Sequence, residues 1–178
     1  MIPVQPKDSR RNFVLPKAPE DAGYYVYGNV GGIPGTGQLA QYAHPNLLSL
    51  IFYIERQWQA IDDRKFGIGN ISLADGRKYE HKTHQKGIEM DIRPVRKDKM
   101  TGQAARCSYF DPVYDRVATI KLLGLFLQHP MVTKVFFNDD KVQQALARVR
   151  SMDGHNDHIH IEIRGNVCTR NWELPSSS

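Results

Sequence analysis

Two stretches far apart in the chain alternate strictly between apolar and polar side chains, and they limit what the chain can fold into. In the first, Ile88, Met90 and Ile92 alternate with Glu89, Asp91 and Arg93; in the second, Ile159, Ile161 and Ile163 alternate with His158, His160 and Glu162. A period of two is that of a half-buried strand, with one face in the core and the other free to carry polar groups. Five of the seven histidines fall in or beside these stretches: His81 and His84 ahead of the first, His155, His158 and His160 in and before the second. Scattered surface histidines do not distribute in this way. The pattern predicts that the two stretches meet in the fold and that their nitrogens and carboxylates surround one metal ion, as in a metal-dependent hydrolase.

The segments between them predict the rest of the architecture. His44-Pro45 opens a helix over 45–60, because proline suits a first helical position and Leu47, Leu48, Ile51, Phe52 and Trp58 recur at helical spacing. A strand is expected within 66–73, a long loop over 96–114 and a second helix over 115–128 that stops before Pro130. Val135-Phe136-Phe137 reads as a short strand. A third helix, capped by Asn138 or Asp139, is expected to bear Val142, Ala145, Leu146 and Val149. Residues 1–22, with four prolines and many charges, read as an extended arm or loose leader, and 169–178 as a polar tail. Short strands and helices in irregular order predict an α+β fold: one domain over 23–168, built on a small, mostly antiparallel sheet flanked by helices, with the metal site on the sheet's open face.

Composition narrows the function. A hydrophobic content of 40% and a charged content of 24% over 178 residues fit one globular domain with an ordinary core. The net charge of +5 favours a polyanion without choosing among nucleic acid, anionic membrane and acidic cell-wall polymer. The longest apolar stretch, 47–54, is too short to cross a bilayer, so membrane insertion is not expected. The amino terminus has no apolar run after its charges and does not read as a secretory signal, so the chain is expected to be made soluble. The glycines of 28–37 lack the Gly-Lys-Ser/Thr of a phosphate-binding loop and read as a surface loop. Cys107 and Cys168 do not have the spacing of a cysteine zinc site, which leaves nitrogen and oxygen ligands; whether the two form a disulfide is left open.

Hydrolytic zinc sites use three ligands of the His/Asp/Glu type and keep a fourth position open. His84 and Asp91 can converge if a loop carrying His84 turns at Gly87 into the strand carrying Asp91. His158 and His160 share one strand face, roughly 6–7 Å apart. One of them can therefore bind metal while the other stands beside it as a general base or an electrostatic partner.

The two clusters resemble motifs of the lysostaphin/D-Ala-D-Ala-carboxypeptidase/Hedgehog type of zinc peptidases, and more closely those of penicillin-insensitive murein endopeptidases. The motif His-x-x-His-Gln-x-Gly-x-Asp-x-Asp of that family is similar to His81-Lys82-Thr83-His84-Gln85-Lys86-Gly87-Ile88-Glu89-Met90-Asp91, and its His-x-x-His-x-His to His155-Asn156-Asp157-His158-Ile159-His160. Glu89 departs from the pattern, standing where that family tends to have aspartate. The resemblance implies one zinc ion held by His84, Asp91 and His160, His158 as the catalytic histidine, and His81, His155, Glu89 and Gln85 as accessory or substrate-binding residues. It implies a peptidoglycan partner and cleavage of the peptide cross-link, at the bond from D-alanyl to meso-diaminopimelate, in the periplasm or cell wall. With no secretory signal, such an enzyme is expected to arrive as a phage lysin or an injected antibacterial effector, with an immunity or delivery protein as a further partner. The competing readings are a D,D-carboxypeptidase or an L-Ala-D-Glu endopeptidase of the same fold, a metal-dependent nuclease, and a non-catalytic zinc-bound wall-binding module. The nuclease is disfavoured because it gives the first cluster no role, so nucleic acid is not the expected partner.

Overall fold

The computed structural model describes residues 5–33, 36–81 and 83–165. In chain order its regular elements are β1 (Phe13–Val14), β2 (Tyr24–Val26), β3 (Tyr42–Ala43), α1 (Pro45–Gln59), β4 (Phe66–Ile68), β5 (Glu89–Ile92), α2 (Arg116–Gln128), β6 (Val132–Phe136), α3 (Asp140–Ala145), β7 (Val149–Arg150) and β8 (Ile159–Ile163). Two short 3-10 turns lie over Gly37–Ala40 and Ala74–Gly76. The two alternating stretches are β5 and β8, and they are antiparallel neighbours, with Met90 opposite Ile161, Ile92 opposite Ile159 and Asp91 opposite His160. Because side chains alternate along each strand, this register places all the isoleucines and Met90 on one face and Glu89, Asp91, His160 and Glu162 on the other.

Six strands form one mixed sheet in the order β2-β4-β5-β8-β6-β7, and β1 pairs with β3 apart from it. The three central pairings are antiparallel, while the outer pairs β2–β4 and β6–β7 are parallel. The result is an α+β fold. α1 and α2 cover the apolar face, where Leu47, Ile51, Ile54 and Trp58 join Leu122 and Phe126 over Phe66, Ile68, Met90 and Ile161 in one core. Phe66 meets Phe126 edge to face, ring centroids 6.2 Å apart. Truncating either ring would cost about 3–5 kcal/mol. Both long helices begin on the residues that satisfy their first amides: His44 Nδ1 accepts from Asn46 N at 3.1 Å, and Asp115 Oδ1 accepts from Ala118 N at 3.0 Å. No helix among the described residues is long and apolar enough to cross a membrane.

Four expectations change. Residues 5–22 are extended but not loose: Asp8, Asn12, Leu15 and Ala22 are buried, and β1 is part of a ladder. Polar bonding, not apolar periodicity, holds this segment down, as Arg10 joins Asp8 Oδ2 at 2.5 Å and Leu73 O at 2.9 Å. The strand expected within 66–73 stops at Ile68: Gly69 N still bonds Asp91 O of β5 at 2.7 Å, but beyond it the chain turns to other partners, Ile71 N bonding Ala40 O at 2.6 Å and Ser72 O accepting from Tyr42 N at 3.1 Å. Val149 belongs to β7, not to α3: the helix ends at Ala145, and Val149 is buried against β6 opposite Val135. β2, which the periodicity does not predict, packs Tyr25 and Tyr27 over Gly67 and Gly69, where any Cβ would come within 2.7 Å of a tyrosine ring. Residues 96–114 form the expected long loop, closed by an isolated bridge between Arg96 and Tyr114. Cys168 and the tail 169–178 lie outside the described residues, so the question of a bridge to Cys107 does too.

Candidate metal centre

The polar face of the sheet, turned away from α1 and α2, carries the site. β5 supplies Asp91 and Glu89, β8 supplies His160 with His158 just before it, and the segment 81–88 brings in His81 and His84. That segment turns at Gly87, whose φ of +74° suits glycine; a Cβ there would also lie 2.3 Å from Asn12 Nδ2 and 2.9 Å from Tyr42 O. The turn is pinned from outside: Asn12 Nδ2 donates to Lys86 O at 3.0 Å, and Arg10 Nη1 donates to Gln85 O.

Three ligand-type atoms converge. His84 Nε2 lies 3.0 Å from His160 Nδ1 and 3.5 Å from Asp91 Oδ1, and His160 Nδ1 lies 3.4 Å from the same oxygen. A tetrahedral ion with bonds of about 2.0–2.1 Å needs its ligand atoms about 3.3 Å apart, so this triangle has the size that zinc requires. His84 Nδ1 is 3.0 Å from Asn70 O and donates to it, which leaves the Nε2 lone pair turned into the triangle. All three residues are buried, His84 at 2%, Asp91 at 5% and His160 at 7% exposure. Burial pushes the His84 imidazole down to about 4, with Asp91 pulling the other way, so the ring is neutral at pH 7. Burial opposes ionisation of Asp91, but the hydrogen bond with His160 and the His84, His158 and His81 rings outweigh it and hold the pKa at about 2. One carboxylate oxygen and two imidazole nitrogens form a donor set that fits a divalent cation.

The remaining predicted residues surround this triangle unequally. His81 Nε2 accepts from Asn70 Nδ2 at 2.8 Å, which places the proton on Nδ1, 3.8 Å from Asp91 Oδ2. Glu89 is buried with an unpartnered Oε2 among the described residues, and a carboxylate oxygen of it lies within 4.8 Å of ring nitrogens of His84 and His160. Burial raises its pKa. His158 Nδ1 donates to Asp157 Oδ1 at 2.9 Å, so its Nε2 is free to accept a proton. His155 stacks on His158 with ring centroids 4.7 Å apart, and its Nδ1 is 3.0 Å from Asp153 O. Gln85 meets the N-terminal segment through its carbonyl. A cavity of about 290 Å³ opens beside the triangle, its wall including His81, Asp91 and His158 together with Tyr27, Arg93 and Arg106.

Sequence reasoning misses Asn70, which serves both His81 and His84 and whose carbonyl also accepts from Asp91 N at 3.2 Å. Its one signal is an amide side chain inside the largely apolar run 66–73. It also misses Asp157 as the partner of His158, and Tyr27, Arg93 and Arg106 as cavity walls; the arginines give no signal beyond the modest positive charge. The described residues hold two overlapping groups able to take a metal, His81–His84–Asp91 and His84–Glu89–His160. The triangle of His84, Asp91 and His160 links the two and is the tightest arrangement. The chain matches no family model and no curated protein sequence.

Proposed function

We propose that the chain is a zinc-dependent peptidase of cell-wall peptide cross-links, with His84, Asp91 and His160 as ligands and His158 as the proton carrier. The observation that carries this reading is the 3.0–3.5 Å triangle of two imidazole nitrogens and one carboxylate oxygen, whose Asp91 lines an open cavity. Zinc held there would supply Lewis acidity, polarising the scissile carbonyl and lowering the pKa of water toward about 7. His158, held by Asp157 with its Nε2 free and its ring at the cavity wall, takes a proton from the attacking water and can return it to the leaving amine. His81 steadies the second oxygen of Asp91, and Asn70 fixes the ring orientation of both His81 and His84. The choice of peptidoglycan, and of the D-alanyl to meso-diaminopimelate bond, rests on the likeness of the two histidine motifs to those of murein endopeptidases, and the net charge of +5 suits an anionic wall.

The test is digestion of purified sacculi by the zinc-loaded protein, followed by mass spectrometry of the released muropeptides. Dimers should fall as tetrapeptide monomers rise. An unchanged profile with the zinc-loaded protein would sink the reading, and shortened stem peptides with intact dimers would point to a carboxypeptidase instead. Nicking of plasmid DNA under the same conditions would support the nuclease reading.

A further inference from the structure

β7 and β8 lie on either side of β6, and Phe136 at the end of β6 stands opposite Arg150 of one and His160 of the other. The connection from Arg150 to Ile159 must therefore cross over the end of β6. It is the segment that carries His155, Asp157 and His158. Little apolar burial holds it: every residue from 151 to 157 except His155 is exposed, Met152 included. Asn138, two residues beyond Phe136, bonds to both limbs of this crossing. Its Oδ1 accepts from Ser151 Oγ at 3.0 Å and from Met152 N at 2.9 Å on the limb that leaves β7. Its Nδ2 donates to Asn156 Oδ1 at 2.8 Å on the limb that enters β8, and its backbone N donates to His155 O at 2.9 Å. The Met152 amide only donates, which fixes the Asn138 side chain with its oxygen toward Met152. Among the described residues Asn138 bonds to none of His84, Asp91 and His160.

We propose that Asn138 is a positioning residue for the proton-carrying half of the site. It acts through the crossing: four bonds from one residue set the path of 151–157, and that path sets where His158 meets the cavity wall. An amide on a short stem suits the task, because it accepts and donates from one end and the two limbs require both. Alanine at this position makes none of the three side-chain bonds. Aspartate keeps the two bonds from Ser151 and Met152, and recovers the third when Asn156 turns its own Nδ2 toward it. Asn156 Nδ2 makes no hydrogen bond among the described residues, so it is free to turn. Displacing a reacting group by about 1 Å costs about 10²-fold in rate, and it leaves the binding of substrate and metal alone. The effect on turnover rests on the proposed peptidase activity; the clamp on the crossing does not.

The test sets Asn138→Ala, Asn138→Asp, Asn156→Asp and the double variant Asn138→Asp/Asn156→Asp against the zinc-loaded parent on dimeric muropeptides. Asn138→Ala should lower kcat by about 10- to 100-fold, with KM within about twofold of the parent and zinc retained. Each single aspartate variant should stay within about threefold of the parent, because one amide still faces one carboxylate. The double variant sets two carboxylates against each other and should fall as far as Asn138→Ala. Amide hydrogen exchange reads the clamp without activity. In Asn138→Ala and in the double variant, the amides of residue 138 and His155 should exchange about tenfold faster or more, while Met90 and Ile161 in the middle of the sheet keep the parent rates. An unchanged kcat in Asn138→Ala, a loss that appears in KM or in zinc retention instead, or a double variant no worse than its singles would overturn the proposal. So would exchange that is unchanged at 138 and 155, or accelerated throughout the sheet. If Asn138→Ala does not fold, the aspartate variants decide. If the parent cleaves nothing, the peptidase reading falls and exchange alone decides whether Asn138 holds the crossing.

Discussion

The two halves of the candidate site are built in opposite ways. His84, Asp91 and His160 are buried, and each is fixed from more than one direction: by the β5–β8 register, by the Asn70 carbonyl, and by an N-terminal segment pinning the turn at Gly87. The rings of His155 and His158 are part exposed and bond through Nδ1 to residues no more than three positions away, Asp157, Asp153 and Met152, while only the His155 backbone is tied further off, its carbonyl accepting from Asn138 N at 2.9 Å. A metal triangle tolerates little displacement, since ligand distances must hold to a few tenths of an ångström. A proton carrier works by changing charge and must reach solvent and substrate. Rigidity is therefore spent on one half, and the other is left with local tethers.

The sharpest way to break this comparison is to remove a buried ligand. Asp91→Ala or His160→Ala should abolish zinc retention, read by elemental analysis after dialysis, and with it all cleavage. His158→Ala should behave differently: zinc stays, while kcat falls by about 10²–10⁴. A His158→Ala protein that lost its metal would mean the two halves are one. Gly87→Ala probes the buried half from a distance. Its positive φ and the nearby Asn12 amide should cost about 1–3 kcal/mol in denaturant unfolding and weaken zinc binding, without touching a ligand.

Acid should separate the halves as well. His84 has a folded pKa of about 4 against an ordinary 6.5, so between these values the unfolded chain binds the extra proton and the folded one does not. Stability of the metal-free protein should therefore fall as pH drops from 6.5 to 4, by up to about 3 kcal/mol, and His84→Gln should flatten that slope. The smallest effect is expected at the open half. Asp157→Asn should lower kcat by about tenfold and displace its pH profile while leaving zinc affinity unchanged, because Asp157 acts only by holding the His158 proton on Nδ1.

The strand-borne part of the site is legible in the sequence, since period-two alternation by itself puts Asp91 and His160 on the polar faces of their strands. The bond from His84 to Asn70 is invisible there for a physical reason: it is made by a backbone carbonyl, which every residue possesses. β2 is equally hidden, because its position depends on Gly67 and Gly69 making room for Tyr25 and Tyr27, a shape relation across the sheet with no period along the chain. The packing of residues 5–22 is concealed likewise, because the Asp8–Arg10 pair and Asn12 look like ordinary surface polarity until their partners are seen. Val149 goes to the wrong element on spacing alone because a buried valine satisfies either structure, and the end of α3 at Ala145 decides between them.

The place of β8 in the sheet bears on how the molecule reaches its native state. It lies between β5 and β6, hydrogen-bonded to both, yet it is the last of the described strands to leave the ribosome. Until it inserts, β5 and β6 each present an open edge to neighbouring chains, and the pairing that closes them spans a large sequence separation. Folding should thus be slow and cooperative, with a window in which partly made chains can associate through those edges. His160 enters with the same strand, so a chain that has not finished folding has no complete ligand set.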